Sequence, residues 1–418
     1  MKFTLLVVAC VFFGVASLQV ESHPVAQQSA PSGSEVMGSP AIEAGGYVYV
    51  SGQGPRRPDG SIPAGFAGQV RQSLENIRRV IGAMGLTMDH VVYVHVYVED
   101  TERYPELNEV FASYFPKEPP ARAVLGVARV PEPPVQITAV AVRDLKGKQP
   151  VFEPSSPPNK AYSPGMLTHD RFFVSTMPGS DPANGIVPQD PAAEVNLALD
   201  RMRSVLQAAG LSLAHMVFVN PYLTSEVTMR IMNQQYARRF ELGNTPARAT
   251  IEVSSLPQGA HIAYTGVAVR DLSQRRTVRP KNMSPSPTAS PCVFAGDTLY
   301  CSAKSGFIPG PNGGVYASTT LDQTRQTMRN LLDNLEEADM TYSQVVSTTI
   351  YLDDLSDSPL FAKVYDRFFS GSLPAQTTLQ QIKSTERKPD NEGQYPDLEQ
   401  MSLIAVRGQR DSSRRPLP

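Results

Sequence analysis

The chain has 418 residues, of which 41% are hydrophobic and 19% are charged, with a formal net charge of −2. This is the composition of an ordinary globular protein, and the length allows roughly three domains. The nearly balanced charge gives no electrostatic basis for binding nucleic acid or an acidic membrane surface, so neither is expected as a partner.

The first 22 residues have the pattern of a secretory signal peptide. Lys2 precedes an apolar run over residues 3–16, and small residues follow that run. The run is shorter than the roughly 20 residues that a membrane-spanning helix needs. Residues 1–22 are therefore predicted to be a signal peptide, and the mature protein to be secreted or periplasmic. An uncleaved anchor is the alternative.

Three copies of one module follow along the rest of the chain. Each has an apolar strand ending in serine (Ser51, Ser175, Ser302), then a Pro-Ala-X triplet and a closing Ala-Val-Arg. The period of about 125 residues is the size of a whole domain and too long for a solenoid repeat. The predicted domains are 37–145, 155–272 and 285–408, with linkers at 146–158 and 273–287 and a disordered tail over 409–418.

The same order of elements is predicted in every copy. A hairpin comes first, with its turn at Gly45-Gly46, His169-Asp170 or Gly296-Asp297. A long amphipathic helix follows, and in the first copy its apolar stripe consists of Val70, Leu74, Ile77 and Ile81. A strand, a second helix and two closing strands complete the unit. The order ββαβαββ predicts an α+β sandwich, with helices on one sheet face and the other face buried against neighbouring copies.

Two cysteines lie on the predicted hairpin of the third copy. With Gly296 and Asp297 as the turn, Cys292 faces Cys301 in a non-hydrogen-bonded pair, where side chains approach most closely. In an oxidising compartment this pairing predicts a cross-strand disulfide, and two buried thiols are the alternative. Without a nearby histidine pair these cysteines do not indicate a zinc site, and no metal is predicted.

Several motifs resemble those of the Rid/YjgF family of reactive-intermediate (imine and enamine) deaminases. The first copy carries Val50-Ser-Gly-Gln53, Pro120-Ala-Arg-Ala123 and Ala139-Val-Ala-Val-Arg143, the second Pro246-Ala-Arg-Ala249 and the third Leu373-Pro-Ala375. The resemblance implies three tandem Rid-like (chorismate-mutase-like) domains. Family members are typically homotrimers with ligand clefts between neighbouring domains. Three copies in one chain therefore imply an intramolecular pseudo-trimer that remains a monomer.

The resemblance also implies a chemistry, the hydrolysis of 2-imino acids to 2-keto acids and ammonia without a cofactor. Such a substrate carries a carboxylate, which the planar fork of an arginine binds through two parallel hydrogen bonds. Arg122 and Arg248 match the family arginine and are the catalytic candidates, whereas the third copy has Gln376. A surface salt bridge is the alternative role for each arginine.

The group that should take a proton from the attacking water is missing. The family has a glutamate on the final strand, and the matching positions here are Gln136, Ala263 and Gln400. A general base contributes about 10²–10⁴-fold to a rate, so any hydrolysis is predicted to be slow. Gln136 and Gln400 could still hold a water by hydrogen bonding.

Other family contacts carry over unevenly. Family substrate-binding positions are matched by Ser51, Gly52, Asn108, Tyr162, Ser175 and Asn233. Thr250 lies two residues past Arg248 on the same strand face and offers a hydroxyl. Sheet packing or helix capping is the alternative for each of these residues. The third copy has Ala289 and Ala362 in place of the tyrosine and the asparagine, so it is predicted to be a scaffold with a degenerate site.

Two functions of different class follow from these residues. The first is an exported imine and enamine deaminase. The second is a non-catalytic protein that binds small carboxylates and has lost the general base. A purely structural role fits less well, because two copies retain both the arginine and the asparagine. The predicted partner is in either case a small carboxylate-bearing ligand.

Overall fold

The structure, a computed structural model, describes residues 38–153, 159–281, 283–310, 314–382 and 385–408. The predicted signal peptide over 1–22 and the predicted tail over 409–418 lie outside the described residues. Within these described ranges, no helix combines the length and the apolar character needed to cross a membrane.

The first copy has the predicted order of elements. They are β1 Ala41–Ala44, β2 Tyr47–Gln53, α1 Phe66–Ala83, β3 Val91–Val98, α2 Tyr104–Tyr114, β4 Ala121–Gly126 and β5 Val135–Val142. The predicted turn joins β1 to β2, where Gly45 and Gly46 both have positive φ, a conformation that glycine adopts without strain. The predicted apolar stripe of α1 is buried against the sheet.

The second copy repeats this order with one interruption. Its elements are β6 Gln149–Val151, β7 Gly165–Leu167, β8 Arg171–Pro178, α3 Pro191–Ala208, β9 Met216–Leu223, α4 Met229–Tyr236, β10 Ala247–Arg248, β11 Ile251–Glu252 and β12 Ile262–Val269. Strands β10 and β11 correspond to the single strand β4. Between these two strands, Asn220 Nδ2 donates to the carbonyl of Ala249 at 3.1 Å. A side-chain amide therefore takes the place of a backbone N–H donor at this point of the sheet.

The third copy contains the predicted hairpin. Its elements are β13 Arg275–Val278, β14 Cys292–Ala295, β15 Thr298–Ser305, α5 Thr320–Glu337, β16 Val345–Leu352, α6 Ser358–Tyr365, β17 Ala375–Gln380 and β18 Glu399–Val406. Cys292 pairs with Cys301 across β14 and β15, the register expected for a turn at Gly296 and Asp297. The two cysteines form a disulfide with their Cα atoms 4.0 Å apart.

Strands β6 and β13 lie in the two segments predicted to be linkers. Strand β6 pairs antiparallel with β7, and β13 pairs antiparallel with β14. A hairpin at a sheet edge leaves one row of backbone groups unpaired. Strands β6 and β13, which lead out of the preceding copy, pair with that row. Each segment between two copies therefore adds an edge strand to the sheet of the following copy.

Each sheet has helices on one face and the other two copies on the opposite face. In the first copy the strand order is β1-β2-β5-β3-β4, with β3 and β4 parallel. Three separate cores lie between the helices and the sheets. Two further clusters draw on all three copies and include Tyr49, Phe173 and Tyr300 in one and Tyr97, Tyr222 and Tyr351 in the other. The sheet faces left bare by the helices therefore pack together, as predicted.

Equivalent hydrogen bonds connect the three copies into a closed ring. In each, a hairpin-strand serine accepts from the backbone N–H of the residue after Pro-Ala in another copy. The donor and acceptor pairs are Arg122 N to Ser175 Oγ at 2.7 Å, Arg248 N to Ser302 Oγ at 2.8 Å and Gln376 N to Ser51 Oγ at 2.7 Å. Because the last pair joins the third copy back to the first, the ring closes within one chain.

Candidate functional site

Each junction of the ring forms a cleft between two copies. One copy supplies its strand after Pro-Ala and its second helix, and the other supplies its hairpin strand. We name the clefts by the copies that line them. The first–second cleft contains Arg122 and Ser175, the second–third cleft Arg248 and Ser302, and the third–first cleft Gln376 and Ser51.

In the first–second cleft, the arginine is buried and only partly paired. Arg122 is 2% exposed, and its Nη2 donates to Asn108 Oδ1 at 2.5 Å and to the hydroxyl of Tyr104 at 3.5 Å. Its Nε and Nη1 have no hydrogen-bond partner in the described part of the chain. Buried polar groups are nearly always paired, so two orphan N–H groups on a cation indicate a place for an acceptor.

Three aromatic rings enclose the Arg122 guanidinium. Its Cζ lies 4.6 Å from the ring centre of Phe111, 5.1 Å from that of Tyr162 and 5.6 Å from that of Tyr104. Tyr162 belongs to the second copy, so it reaches across the cleft. Burial, reinforced by Tyr104 and partly offset by Arg122, raises the pKa of Tyr162 to about 12. A ligand can reach Arg122 only if these tyrosines move.

The arginine of the second–third cleft has the same partner and a more open setting. Arg248 Nη1 donates to Asn233 Oδ1 at 2.7 Å, and its Cζ lies 5.3 Å from the ring centre of Tyr236. The residue is partly exposed rather than buried. The burial that remains lowers the pKa of Arg248 from its ordinary value, an effect that an incoming carboxylate would oppose.

The third copy contributes polar groups to this cleft, although its own site was predicted to be degenerate. Gln400, on β18, donates through Nε2 to the carbonyl of Thr250 at 3.3 Å. The Thr250 hydroxyl is buried and has no hydrogen-bond partner among the described residues. Gln400 and Thr250 therefore lie together on the side of the cleft that follows Arg248 along the strand.

In the third–first cleft, a glutamine occupies the arginine position. Gln376 is buried, and its Nε2 donates to Thr378 Oγ1 at 3.0 Å. Gly38, at the position of Tyr162, packs so closely that a Cβ there would lie 2.9 Å from Gln376 Cβ. On the first copy's side, a Cβ on Gly52 would lie 2.6 Å from Gln136 Cδ. This cleft is tightly packed and lacks the arginine.

Each cleft therefore combines predicted site residues from two different copies. The first–second cleft brings Arg122 and Asn108 to Tyr162 and Ser175, and the second–third cleft brings Arg248, Asn233 and Thr250 to Ser302 and Gln400. The third–first cleft contains Ser51, Gly52 and Gln136 together with Gln376. Gln136, Ala263 and Gln400 occupy equivalent positions on the closing strands of the three copies, because they pair with Tyr97, Tyr222 and Tyr351 in turn.

The predicted serines have a definite structural role in these clefts. Besides accepting the bond that joins two copies, each donates its hydroxyl proton to a backbone carbonyl at 2.6 Å, namely that of Ser39, Ser163 or Ser290. A hydroxyl has one proton and two lone pairs. Each serine thus retains one lone pair, and its evident task is to hold two copies together.

The aromatic residues beneath the arginines were not among the predicted site residues. Phe111 lies under Arg122 and Tyr236 under Arg248, each three residues after the asparagine that accepts from that arginine. Residues three apart share a helix face. The spacing Asn-x-x-aromatic, present in two copies, could have predicted that an aromatic ring lies beside the asparagine that binds each arginine.

Comparison with known proteins gives a consistent result. The sequence profile of the family described as Endoribonuclease L-PSP matches three times, over residues 29–143, 153–269 and 282–385. A RutC family protein of Pyrococcus horikoshii is 38% identical over 25% of this chain and 86% of its own length. The 2-iminobutanoate/2-iminopropanoate deaminase of Escherichia coli is 34% identical over 29% of this chain and 98% of its own length.

Solved structures match over one copy at a time. E. coli TdcF with bound serine is 32% identical and covers 27% of this chain and 92% of its own, with a TM-score of 0.26. Yeast Mmf1 is 30% identical and covers 27% of this chain and 90% of its own, with a TM-score of 0.26.

Proposed function

Because the chain belongs to the Endoribonuclease L-PSP family, which includes the Rid/YjgF deaminases, we propose that it hydrolyses 2-imino acids to 2-keto acids and ammonia. The proposed site is the second–third cleft. The observation that carries the proposal is Arg248, a partly exposed arginine oriented by Asn233 beside Thr250 and Gln400. One such cation suits a small carboxylate, whereas a polyanion such as RNA is usually bound by many.

In the proposed hydrolysis, Arg248 binds the substrate, and Gln400 and Thr250 bind the attacking water. The guanidinium of Arg248, through N–H groups other than the one bound to Asn233, binds the substrate carboxylate and fixes the adjacent C=N carbon. A water held near Gln400 and Thr250 adds its oxygen to that carbon, and a proton passes to the nitrogen. The C–N bond of the resulting carbinolamine then breaks, releasing ammonia and leaving the keto group. No carboxylate stands at position 400 to accept the water's proton, so the reaction is slow.

Arg122 contributes less to the proposed activity than Arg248 does. It retains the asparagine and two orphan N–H groups, but Tyr104 and Tyr162 cover it and Ala263 stands at the glutamate position of its cleft. Hydrolysis there requires the tyrosines to move and has no polar group at position 263. We therefore assign it a minor share of the activity.

The second candidate function is a non-catalytic binding protein for small carboxylates. The observation that favours it is the residue set Gln136, Ala263 and Gln400, which offers no carboxylate in any of the three clefts. Such a protein would bind through Arg248 in the same way and release the ligand unchanged.

Export and a monomeric state are parts of the same proposal. The pattern of residues 1–22 supports export, which N-terminal sequencing of the protein recovered outside the cytoplasm tests. Three junctions satisfied within one chain support a monomer, because the surfaces that identical subunits would use are already paired. Light scattering that finds trimers of the chain rejects that part.

The decisive assay is release of keto acid or ammonia from imines generated in place by an amino-acid oxidase. Wild type is compared with Arg248→Met, Arg122→Met and the double variant, and Arg203→Met, an exposed arginine on α3, serves as the control. Loss of most acceleration in Arg248→Met supports the proposal, and full acceleration in the double variant rejects it. No acceleration in wild type, together with keto-acid binding lost in Arg248→Met, decides for the binding protein.

A further inference from the structure

A surface depression lies directly outside the second–third cleft. It measures about 750 Å³ and is lined on the second copy by Met229, Arg230, Asn233 and Gln234 of α4 and by Ala237 just after it, and on the third copy by Pro287 and Thr288. Asn233 also accepts the hydrogen bond from Arg248. One side chain thus borders both the arginine and the depression. A ligand whose carboxylate is on Arg248 can therefore extend its other end into this space.

The same route is filled in the first–second cleft. There Tyr104 and Tyr162 both pack on the guanidinium of Arg122. Tyr104 lies four residues before the arginine-bound Asn108, and Met229 lies four residues before Asn233, so the two positions correspond. A flexible methionine replaces a tyrosine on the helix side.

The opposite wall shows a second replacement. Tyr162 immediately precedes Ser163, which bonds to Pro120; Ala289 immediately precedes Ser290, which makes the same bond to Pro246. Ala289 therefore occupies the tyrosine's place. Two aromatic side chains that close one cleft are replaced by a methionine and an alanine in the other, which accounts for the partial exposure of Arg248.

We propose that the second–third cleft selects 2-imino acids with a large apolar side chain, branched or aromatic, and that Met229 and Ala289 determine this specificity. The inference rests on the proposed function, because it assigns the carboxylate to Arg248. Met229, Ala237 and Pro287 supply apolar lining, and the charge of Arg230 lies at the exposed rim. An apolar side chain gains by leaving water for such a surface.

The test uses the stable 2-keto acids as probes for calorimetric binding to the full chain. Pyruvate, 4-methyl-2-oxopentanoate, phenylpyruvate and 2-oxoglutarate share the carboxylate and keto group and differ in the side chain. We expect the two apolar acids to bind at least about tenfold more tightly than pyruvate, the usual effect of added apolar groups in a fitting pocket. Equal affinities, or a preference for pyruvate or 2-oxoglutarate, overturn the inference.

Variants on the two clefts provide the matched comparison. Ala289→Tyr copies the closed cleft and should reduce the preference for apolar acids to below about threefold, whereas Ala208→Tyr adds a tyrosine on an exposed part of α3 and should not. Conversely, Tyr104→Met combined with Tyr162→Ala copies the open cleft and should add a second binding event for 4-methyl-2-oxopentanoate at Arg122. An unchanged preference in Ala289→Tyr overturns the assignment of that residue.

Binding measurements on Arg248→Met distinguish a failure of the proposed carboxylate site from a failure of the proposed side-chain specificity. If all keto acids bind and lose affinity in this variant, but without dependence on side-chain size, the carboxylate site stands and the specificity inference falls. If no keto acid binds to wild type, both fall together. Size-dependent binding that disappears in Arg248→Met supports both.

Discussion

At the scale of single residues, two neighbours decide which arginine meets solvent. Arg122 and Arg248 donate to equivalent asparagines and lie over equivalent aromatic rings. Tyr104 and Tyr162 cover the first, while Met229 and Ala289 leave the second partly exposed. The arginines and asparagines are visible in the sequence. Their accessibility is not, because Tyr162 acts on a residue of another copy.

The missing general base gives the first prediction. Gln400→Glu places a carboxylate in the cleft of Arg248, and we expect it to raise the rate of imine hydrolysis by about 10²-fold or more, since a general base supplies about 10²–10⁴-fold. The rate should rise with pH as that carboxyl ionises. Steady-state kinetics over a pH series measures both effects.

Gln136→Glu is the matched control, since it makes the same change in the cleft that has Gln376 at the arginine position. An equal gain in this variant, or none in Gln400→Glu, contradicts the assignment of the second–third cleft.

A buried carboxyl in the third copy gives the second prediction. Glu399 is 1% exposed, accepts a hydrogen bond from Thr327, and has no partner for Oε2 in the described ranges. Burial, with a smaller contribution from Asp397, raises the pKa of Glu399 to about 8. The folded protein then keeps a proton that the unfolded chain releases above its usual pKa of about 4.3. Stability should fall as the pH rises from about 4.5 to 8.

Glu399→Gln removes this titration while keeping an acceptor for Thr327. We expect its free energy of unfolding to exceed that of wild type by about 2 kcal/mol or more at pH 8, with a smaller difference at pH 5. Denaturant unfolding at the two pH values measures this. A variant less stable than wild type at pH 8 would show that the charged carboxylate is stabilising.

At the scale of elements, periodicity and turn residues predicted the hairpins, the helices and most strands. The predicted turns join β1 to β2 and β14 to β15, and the predicted stripe of α1 faces the core. Strands β6 and β13 were missed because their pairing partners lie beyond a turn-rich segment and their composition is that of a linker. The break between β10 and β11 depends on Asn220, a contact between two strands that no local pattern reveals.

The hairpin of β14 and β15 gives the third prediction. Its disulfide encloses a short loop, so the restriction it places on the unfolded chain is small. Replacing both Cys292 and Cys301 by alanine should lower the free energy of unfolding by about 2 kcal/mol. Chemical unfolding of the oxidised protein and the double variant gives the difference. Two reactive thiols in the denatured, non-reduced wild type would refute the bridge.

At the scale of the whole molecule, the centre of the ring is where equivalent positions of the three copies meet. Three identical copies would place the same residue there three times, whereas this chain places three different residues. The first residue after each hairpin turn is Tyr47, Arg171 or Thr298. Arg171 is 2% exposed, donates through Nη2 to Thr298 Oγ1 at 2.6 Å and has its Cζ 4.4 Å from the ring centre of Tyr47. The centre of the ring therefore accommodates one buried cation, and the carboxylate beside it is that of Asp170, whose Oδ2 lies 3.5 Å from Arg171 Nη2.

This centre gives the fourth prediction. Thr298→Arg brings a second cation beside Arg171, and we expect it to lower the free energy of unfolding by about 3–5 kcal/mol, the usual cost of an uncompensated buried charge. Thr298→Val removes only the hydroxyl that accepts from Arg171 and should cost about 1.5–3 kcal/mol, the usual value for a hydrogen bond to a charged group. Equal stabilities of the two variants in denaturant unfolding would show that the centre tolerates more charge than this packing implies.

The sequence also predicted that the copies pack together, because bare sheet faces need a partner. It could not predict which copies share a cleft, since Ser51 and Gln376 lie 325 residues apart and no local pattern connects them. The sequence therefore left open which arginine each family glutamate position accompanies. Gln136 lies opposite Gln376, and Gln400 accompanies Arg248.

Both the proposed hydrolysis and the proposed specificity require a carboxylate to bind to Arg248 in the cleft between the second and third copies. A crystal structure of the full chain soaked with 4-methyl-2-oxopentanoate tests it most directly. We expect one ligand in that cleft, with its carboxylate on Arg248 beside Asn233 and its side chain toward Met229 and Ala289, and no ligand at Gln376. A ligand bound only at Arg122, or bound away from both arginines, would contradict it.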